Sequence, residues 1–258
     1  MAGEYSKSGL AYEWIIYSGP SPGIEARAVL GRIQSFKKLN LFDQAGSCLD
    51  QVNIFAMPDS MKAKILYESL LVNYLAGNFQ EVQSRFLMAR PFLQNTNFNP
   101  TGKLLLCLSH LKSGQWGLVP KSAESFIRTA APPEKADSLI AQFYILFDTL
   151  QPPRLKNPKT ARILSMIIPG SGQIYSGYLG DGLISFSLHL LAIGGAGFAF
   201  TQGLYVSGWI GGFGLLQKIY FGGIQRAEEL AEQKDRLNKE LYIQPALTYL
   251  IGLSEEYN

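Results

Sequence analysis

Residues 182–200 read GLISFSLHLLAIGGAGFAF, nineteen positions without one Asp, Glu, Lys or Arg. As a helix rising ~1.5 Å per residue this stretch reaches about 28 Å, close to the thickness of bilayer hydrocarbon. Residues 204–223 form a second candidate span, charged only at Lys218, and the link Thr201-Gln202-Gly203 is short and uncharged. Two spans joined that tightly make a hairpin whose flanks share one side of the membrane. Between residues 163 and 223 the only charged side chains are Asp181 and Lys218, whereas up to about Leu150 apolar and charged residues mix as they do in a soluble protein. The alternative is a hairpin buried in an all-α soluble domain. Against it, both segments are apolar all round and little sequence surrounds them to cover them.

Within the spans glycine is dense. Lipid offers no hydrophobic drive between helices, so close packing of small residues supplies it. Gly208 and Gly212 stand at GxxxG spacing, and Gly195 with Ala199 forms a small-xxx-small pair. Two readings stand: these residues pack the hairpin against itself, or they join chains into a homo-oligomer. His189 lies inside the first span. An ionisable residue there is a functional candidate, but nothing else in the spans could relay its proton, and a neutral ring bonded to a backbone carbonyl explains it.

Upstream runs Ile167-Ile168-Pro169-Gly170-Ser171-Gly172-Gln173-Ile174-Tyr175-Ser176-Gly177-Tyr178-Leu179-Gly180-Asp181-Gly182. Pro169 and the glycines are expected to break a helix that begins near Ala161. Tyr175 and Tyr178 suit a membrane–water interface, and Asp181 suits a cap on the first span. Read as a phosphate loop, the string fails, because no strand precedes it and no Gly-Lys-Ser/Thr follows. Ser171 has no base nearby to make it a nucleophile. Pro169, Gly170, Gly172, Gln173, Tyr175 and Gly177 resemble the PG-x-GQ-x-Y-x-G signature of a widespread bacterial family of two-span membrane domains, over about residues 159–240. Tyr220, Gly222-Gly223, Ala227 and Asn238 resemble that family's tail. The resemblance implies a bacterial inner-membrane protein and is silent on chemistry.

The amino half repeats. Tyr5, Phe42, Phe79 and Trp116 are spaced by 37 residues. Three further on come Ser8, Ala45, Val82 and Val119; seven on, Tyr12, Leu49, Phe86 and Ala123; ten on, Ile15, Val52, Ala89 and Phe126. Offsets of 0, 3, 7 and 10 trace one helical face. A partner helix upstream carries the columns Leu30, Tyr67, Leu104 and Ile33, Leu70, Cys107, then Lys37, Tyr74, Leu111. Short polar turns divide the two helices at Leu39-Asn40, Gly77-Asn78 and Gly114-Gln115. A helix–turn–helix unit cannot bury its apolar face alone, and stacking such units builds a continuous core. Over about residues 4–130 this resembles the tetratricopeptide repeat family, with a longer period of 37 and with Val82 and Val119 where that family has a small residue. Residues 4–17 match a second helix with no first helix before it. Either the natural chain continues upstream or Met1 begins a shortened one; the resemblance implies an export signal for proteins of this kind.

Residues 132–150 predict a closing helix, and the prolines of 151–158 a boundary. The expected architecture is therefore all-α: a tetratricopeptide-like solenoid over 1–150, a linker at 151–158, and a membrane hairpin domain with a polar helix over 159–258. Residues 224–240 read as a solvated charged helix, and 241–253 as an apolar segment that lies on the membrane or docks onto the repeats. Arg154, Lys156, Lys159, Arg162, Lys218 and Arg226 flank the spans, which by charge places both flanks in the cytoplasm. The family habit of export places the repeats on the periplasmic side, the side adopted here. A net charge of +3 without a basic stripe excludes a nucleic-acid footprint. Cys48 and Cys107 read as buried free thiols. No catalytic, cofactor or metal constellation emerges. The expected function is a membrane-anchored scaffold for protein or peptide partners; the alternative is a glycine-packed pore or transporter accessory.

Overall fold

A computed structural model describes residues 2–50 and 53–257. Among them regular structure is helical throughout, with no strand. The chain divides into two compact units. One comprises Met1–Leu150 together with Ile243–Asn258, the other Gln151–Tyr242.

The first unit begins with α1 (Ala2–Tyr17), α2 (Pro22–Lys38), α3 (Phe42–Ser47), α4 (Asp59–Leu75), α5 (Phe79–Leu93) and α6 (Phe98–Ser113). A 3-10 turn at Trp116–Leu118 leads into α7 (Val119–Ala130), and α8 (Pro133–Thr149) follows. Each helix packs on the next, and α4 also packs on α2 and α6. Prolines near the starts of α2, α7 and α8 sit where a helix has no use for the missing N–H. The turns after α2, α4 and α6 repeat one design. Asn40, Gly77 and Gly114 all adopt positive φ (57°, 81° and 79°). In each turn the following N–H reaches back to a carbonyl five residues earlier: Leu41 to Phe36, Asn78 to Asn73, Gln115 to His110. This left-handed cap closes the helix and satisfies carbonyls that would otherwise be orphaned.

The core follows the same register. Ile33, Leu70 and Cys107 are fully buried, as are Ala45, Val82 and Val119, with Leu49, Phe86 and Ala123 beneath them. Ala89 and Phe126 continue the last column, while Ile15, on α1, is only half-buried; Val52 lies outside the described residues. Both cysteines are free and buried. Burial pushes the Cys107 thiol up to about 12 against the weaker opposing pull of Ser122. Glu68, almost fully enclosed, is matched by Lys37 Nζ at 2.7 Å and Gln34 Nε2 at 2.8 Å. On α1, by contrast, Leu10, Trp14 and Tyr17 are exposed.

The second unit comprises α9 (Pro158–Ile167), α10 (Ser171–Tyr175), α11 (Leu179–Thr201), α12 (Tyr205–Ser207), a π-helical turn at Gly208–Phe213, and α13 (Gly214–Tyr257) as far as Tyr242. Asn157 caps α9, its side-chain oxygen accepting from the N–H groups of Lys159 (2.9 Å) and Thr160 (3.4 Å). Residues 151–158 are not a free linker but part of this unit. The Lys156 N–H donates to the Asp235 carboxylate at 2.7 Å, and its ammonium lies 4.8 Å over the Tyr175 ring.

Among the described residues one helix, Leu179–Thr201, is long and apolar enough to cross a membrane. The second expected span, 204–223, is divided by the π-turn, where Gly208, Gly211 and Gly212 make a widened helix sterically easy. It folds back along α11 nonetheless: Gly208 lies against Ala199 and Gly212 against Ala196.

The boundary expected at the C-terminus also shifts. From Ile243 onward α13 belongs with the first unit rather than with a domain spanning 159–258. Its stripe Ile243, Ala246, Leu247, Leu250 and Leu253 is buried. Tyr249 fixes the docking, its hydroxyl donating to the Leu139 carbonyl at 2.9 Å and its ring lying 5.8 Å from Phe143. An apolar stripe at helical spacing takes the nearest apolar face, here that of α8.

Candidate functional site: a small-residue knot and the crevice beside it

The signature string builds the base of the hairpin by close approach of backbones. Gly170 turns at φ 93°, and a Cβ there would fall 2.2 Å from the Gly182 carbonyl oxygen. At Gly172 a Cβ would fall 1.9 Å from the Ala161 carbonyl oxygen, so α9 and α10 meet with no side chain between them. Gly182 in turn lies under Ile174. Pro169 enters the turn, and Gly177, at φ 92°, closes α10 so that the Tyr178 N–H reaches the Gln173 carbonyl at 2.9 Å. Any L-residue at Gly170 or Gly172 meets backbone, which cannot step aside cheaply.

Polar groups lock the same point. Gln173, 1% exposed, accepts from Ser165 Oγ at 3.0 Å and donates to the Gly223 carbonyl at 2.9 Å, tying α9, α10 and α13 together. Ser165 Oγ also accepts from the Gly172 N–H at 3.1 Å, and Ser176 Oγ donates to the Gly172 carbonyl at 2.8 Å. Each side chain thus completes a bond that burial would otherwise leave open. Tyr175 packs on Ala161, Ala227 and Ala231 and accepts the Asn157 N–H at 3.2 Å. Asp181 does not cap α11, whose N-cap is Tyr178. It sits in the first turn and pairs with Arg226 at 3.6 Å.

Of the helix-packing residues expected from sequence, Ala199, Gly208 and Gly212 lie in the hairpin seam. Gly195 does not: a Cβ there meets nothing within 4 Å, and Ala196 takes its place. His189 is buried with Nδ1 2.7 Å from the Ser185 carbonyl, which assigns the proton to Nδ1. Its ring meets Tyr220 edge-on at 6.2 Å. Two buried atoms here have no hydrogen-bond partner among the described residues, His189 Nε2 and Ser185 Oγ.

Beside the knot a crevice of about 500 Å³ opens between α11 and α13. Ser185, Gln173 and Gly223 line it together with the apolar Ile184, Leu188, Leu215 and Ile219. Asp181, Lys218 and Arg226 supply its charges. Ser165 escaped the sequence reading, and the contacts of Ser176 and Gly223 were not visible in it, since they cross up to 51 residues of chain. Ser171 Oγ is engaged locally with the Ile168 carbonyl at 2.7 Å, and no group of three potential metal-ligating side chains occurs among the described residues. The arrangement can hold and orient. Comparison with protein-family models, with curated proteins and with solved structures yields no match.

Proposed function

We propose that the chain is a membrane-anchored scaffold. A tetratricopeptide-like solenoid binds protein or peptide partners, and a two-span hairpin of the glycine-signature family holds it in a bacterial inner membrane with the repeats on the periplasmic side. The observation that carries the reading is the orientation of α11. Leu183, Ile184, Leu190, Leu191, Ile193 and Phe198 point outward and are mostly exposed, while Gly182, Ser185, His189 and Ala192 are buried. A helix with small and polar residues inside and large apolar ones outside is suited to hydrocarbon surroundings and unsuited to water. The solenoid reading is supported by the left-handed caps recurring at Asn40, Gly77 and Gly114. The partner class is supported by the chain itself, since one face of the first unit already receives the amphipathic end of α13, from Ile243 to Tyr257.

A second reading, a glycine-packed membrane unit serving as a pore or transporter accessory, is favoured by the open surfaces at Gly194, Gly197, Gly211 and Gly214, which meet nothing within 4 Å. These glycines suit contact with another chain, but the few polar side chains of the spans do not suit an aqueous pore.

Carbonate extraction tests integration: the full chain is expected in the membrane pellet. Single cysteines replacing Lys159 and Lys234 are expected to react alike with an impermeant maleimide, both labelled from the periplasmic side. The native thiols are buried and contribute no background. Release by carbonate overturns the anchor, and opposite labelling overturns the hairpin.

A further inference from the structure

We propose that the crevice between α11 and α13 is a seat for one anionic phospholipid, an inference that rests on the membrane reading above. Its residues are graded along the hairpin as a lipid is graded along its length. Asp181 and Arg226 mark the charged end, at the base of the hairpin beside the glycine knot. Ile184, Leu188, Leu215 and Ile219 line the walls and offer an acyl chain the contact that neighbouring lipid would give. Ser185, nine-tenths buried, lines the same space, and its Oγ, packed against Gly223 and without a partner among the described residues, is an unspent donor at the wall of the crevice.

Lys218 decides the charge of the occupant. It lies between the level where Gly212 meets Ala196 and the level where Gly223 meets Ser185, about 7 Å along the helix from Gly223. No ion pair reaches it among the described residues, unlike Arg226, which shares Asp181 at 3.6 Å and Glu229 at 3.9 Å. A lysine in the apolar part of a span is costly unless it meets an anion or snorkels to the surface. Among the residues that line the crevice, Lys218 and Arg226 stand against Asp181 and leave one positive charge for a phosphate diester; Glu229, which Arg226 also meets, is not part of the lining. Gly222 and Gly223 keep the floor open, and a Cβ on Gly222 would meet nothing within 4 Å.

The test uses the full chain in detergent micelles, titrated with dioleoyl phosphatidylglycerol or dioleoyl phosphatidylcholine and read by native mass spectrometry. One phosphatidylglycerol per chain is expected to be retained in preference to phosphatidylcholine. Lys218→Gln and Arg226→Gln are each expected to weaken that binding about fivefold, the effect of one basic side chain on an anionic headgroup. Gly222→Leu fills the crevice from a position with free space and is expected to abolish the preference while the chain stays in the carbonate pellet. Soluble glycerol phosphate at the same concentration is expected not to displace the lipid. Equal retention of the two lipids, unchanged binding by the Gly222 variant, or displacement by glycerol phosphate each overturns the seat while leaving the anchor standing. A chain released by carbonate overturns both.

Discussion

The two units bury opposite things. In the first, large side chains go inside: Phe126, Phe143, Ile33, Ile65 and Leu70 are essentially inaccessible, and polar side chains lie mostly at the rim. In the second, the interior at the hairpin base is mostly glycine, alanine, serine and one glutamine, with Ile224, Leu230 and the ring of Tyr175 packed among them, and the large apolar residues of α11 face mostly outward. Water rewards the first arrangement through the area of hydrocarbon hidden, roughly 25 cal/mol per Å². The second gains little from that source. It depends on backbone contact and on hydrogen bonds whose partners burial has removed from water. On the membrane reading, two solvents are written into one chain, and each unit should fail in its own way.

The sharpest way to break the comparison is to change one methyl group or one ring in each unit of the full chain in detergent. Gly172→Ala adds a single carbon, but that carbon falls 1.9 Å from the Ala161 carbonyl oxygen. We expect it to destabilise the second unit by more than about 3 kcal/mol, beyond the usual range for an overpacked core, while the first keeps its protease resistance. Phe126→Ala removes a fully buried ring and should cost the first unit about 3–5 kcal/mol, leaving the hairpin fragment resistant. Limited proteolysis with mass mapping separates the outcomes. If Gly172→Ala is tolerated, the knot is not a close-packed one.

How much of this could be read in the sequence follows from the same contrast. The buried positions of the first unit were legible because apolar residues at helical spacing mark a core face, and the turns after Lys38, Leu75 and Ser113 carry residues that accept positive φ. The string Pro169–Gly177 stands out in the sequence by its glycines, but the work those glycines do does not. Gly172 needs Ala161, and Gln173 needs Gly223 fifty residues away. Nothing in local spacing announces those partners. The division of the second apolar segment by a π-turn was hidden for a related reason, since glycine permits the widening without demanding it. The docking of Ile243 onward was open in the sequence because an amphipathic stripe specifies a face and not the surface that will cover it.

A finer test sets the seam glycines against the open ones. A Cβ at Gly212 would come within 2.6 Å of Ala196 Cβ, and one at Gly208 within 3.3 Å of Ala199 Cβ. Gly212→Leu is therefore expected to loosen the hairpin more than Gly208→Leu, each by about 1–3 kcal/mol, read as faster cleavage in detergent. Gly195→Leu should leave cleavage unchanged, since space is free there. Loss of crosslinking between differently tagged chains in that last variant, with the hairpin intact, would place an oligomer contact on the outer glycine face.

The smallest expected effect is on pH, and it should touch the first unit alone. His110 is buried in α6, with Nδ1 3.2 Å from Ser122 Oγ. Ser122 donates to backbone carbonyls at 3.0 Å, so its oxygen accepts from the imidazole N–H and the ring is accommodated as the neutral form. Burial lowers the affinity of His110 for a second proton below the ordinary value near 6.5. With the folded value depressed, the unfolded chain takes up the proton first as pH falls. The contribution of His110 to stability is then complete above about pH 6.5 and declines below it, by at most about 1.4 kcal/mol per pH unit, until the folded form also protonates. Between pH 7.5 and 5.5 the first unit should lose thermal stability, and His110→Gln, whose amide can still donate to Ser122 without titrating, should flatten that slope. The polar lock of the second unit, Ser165–Gln173–Gly223, contains no titrating group, so the lock itself is expected to add no pH slope to the cleavage of that unit. A slope that survives His110→Gln would move the titration to another group in the first unit, and a parallel slope in the second unit would break the separation between the two.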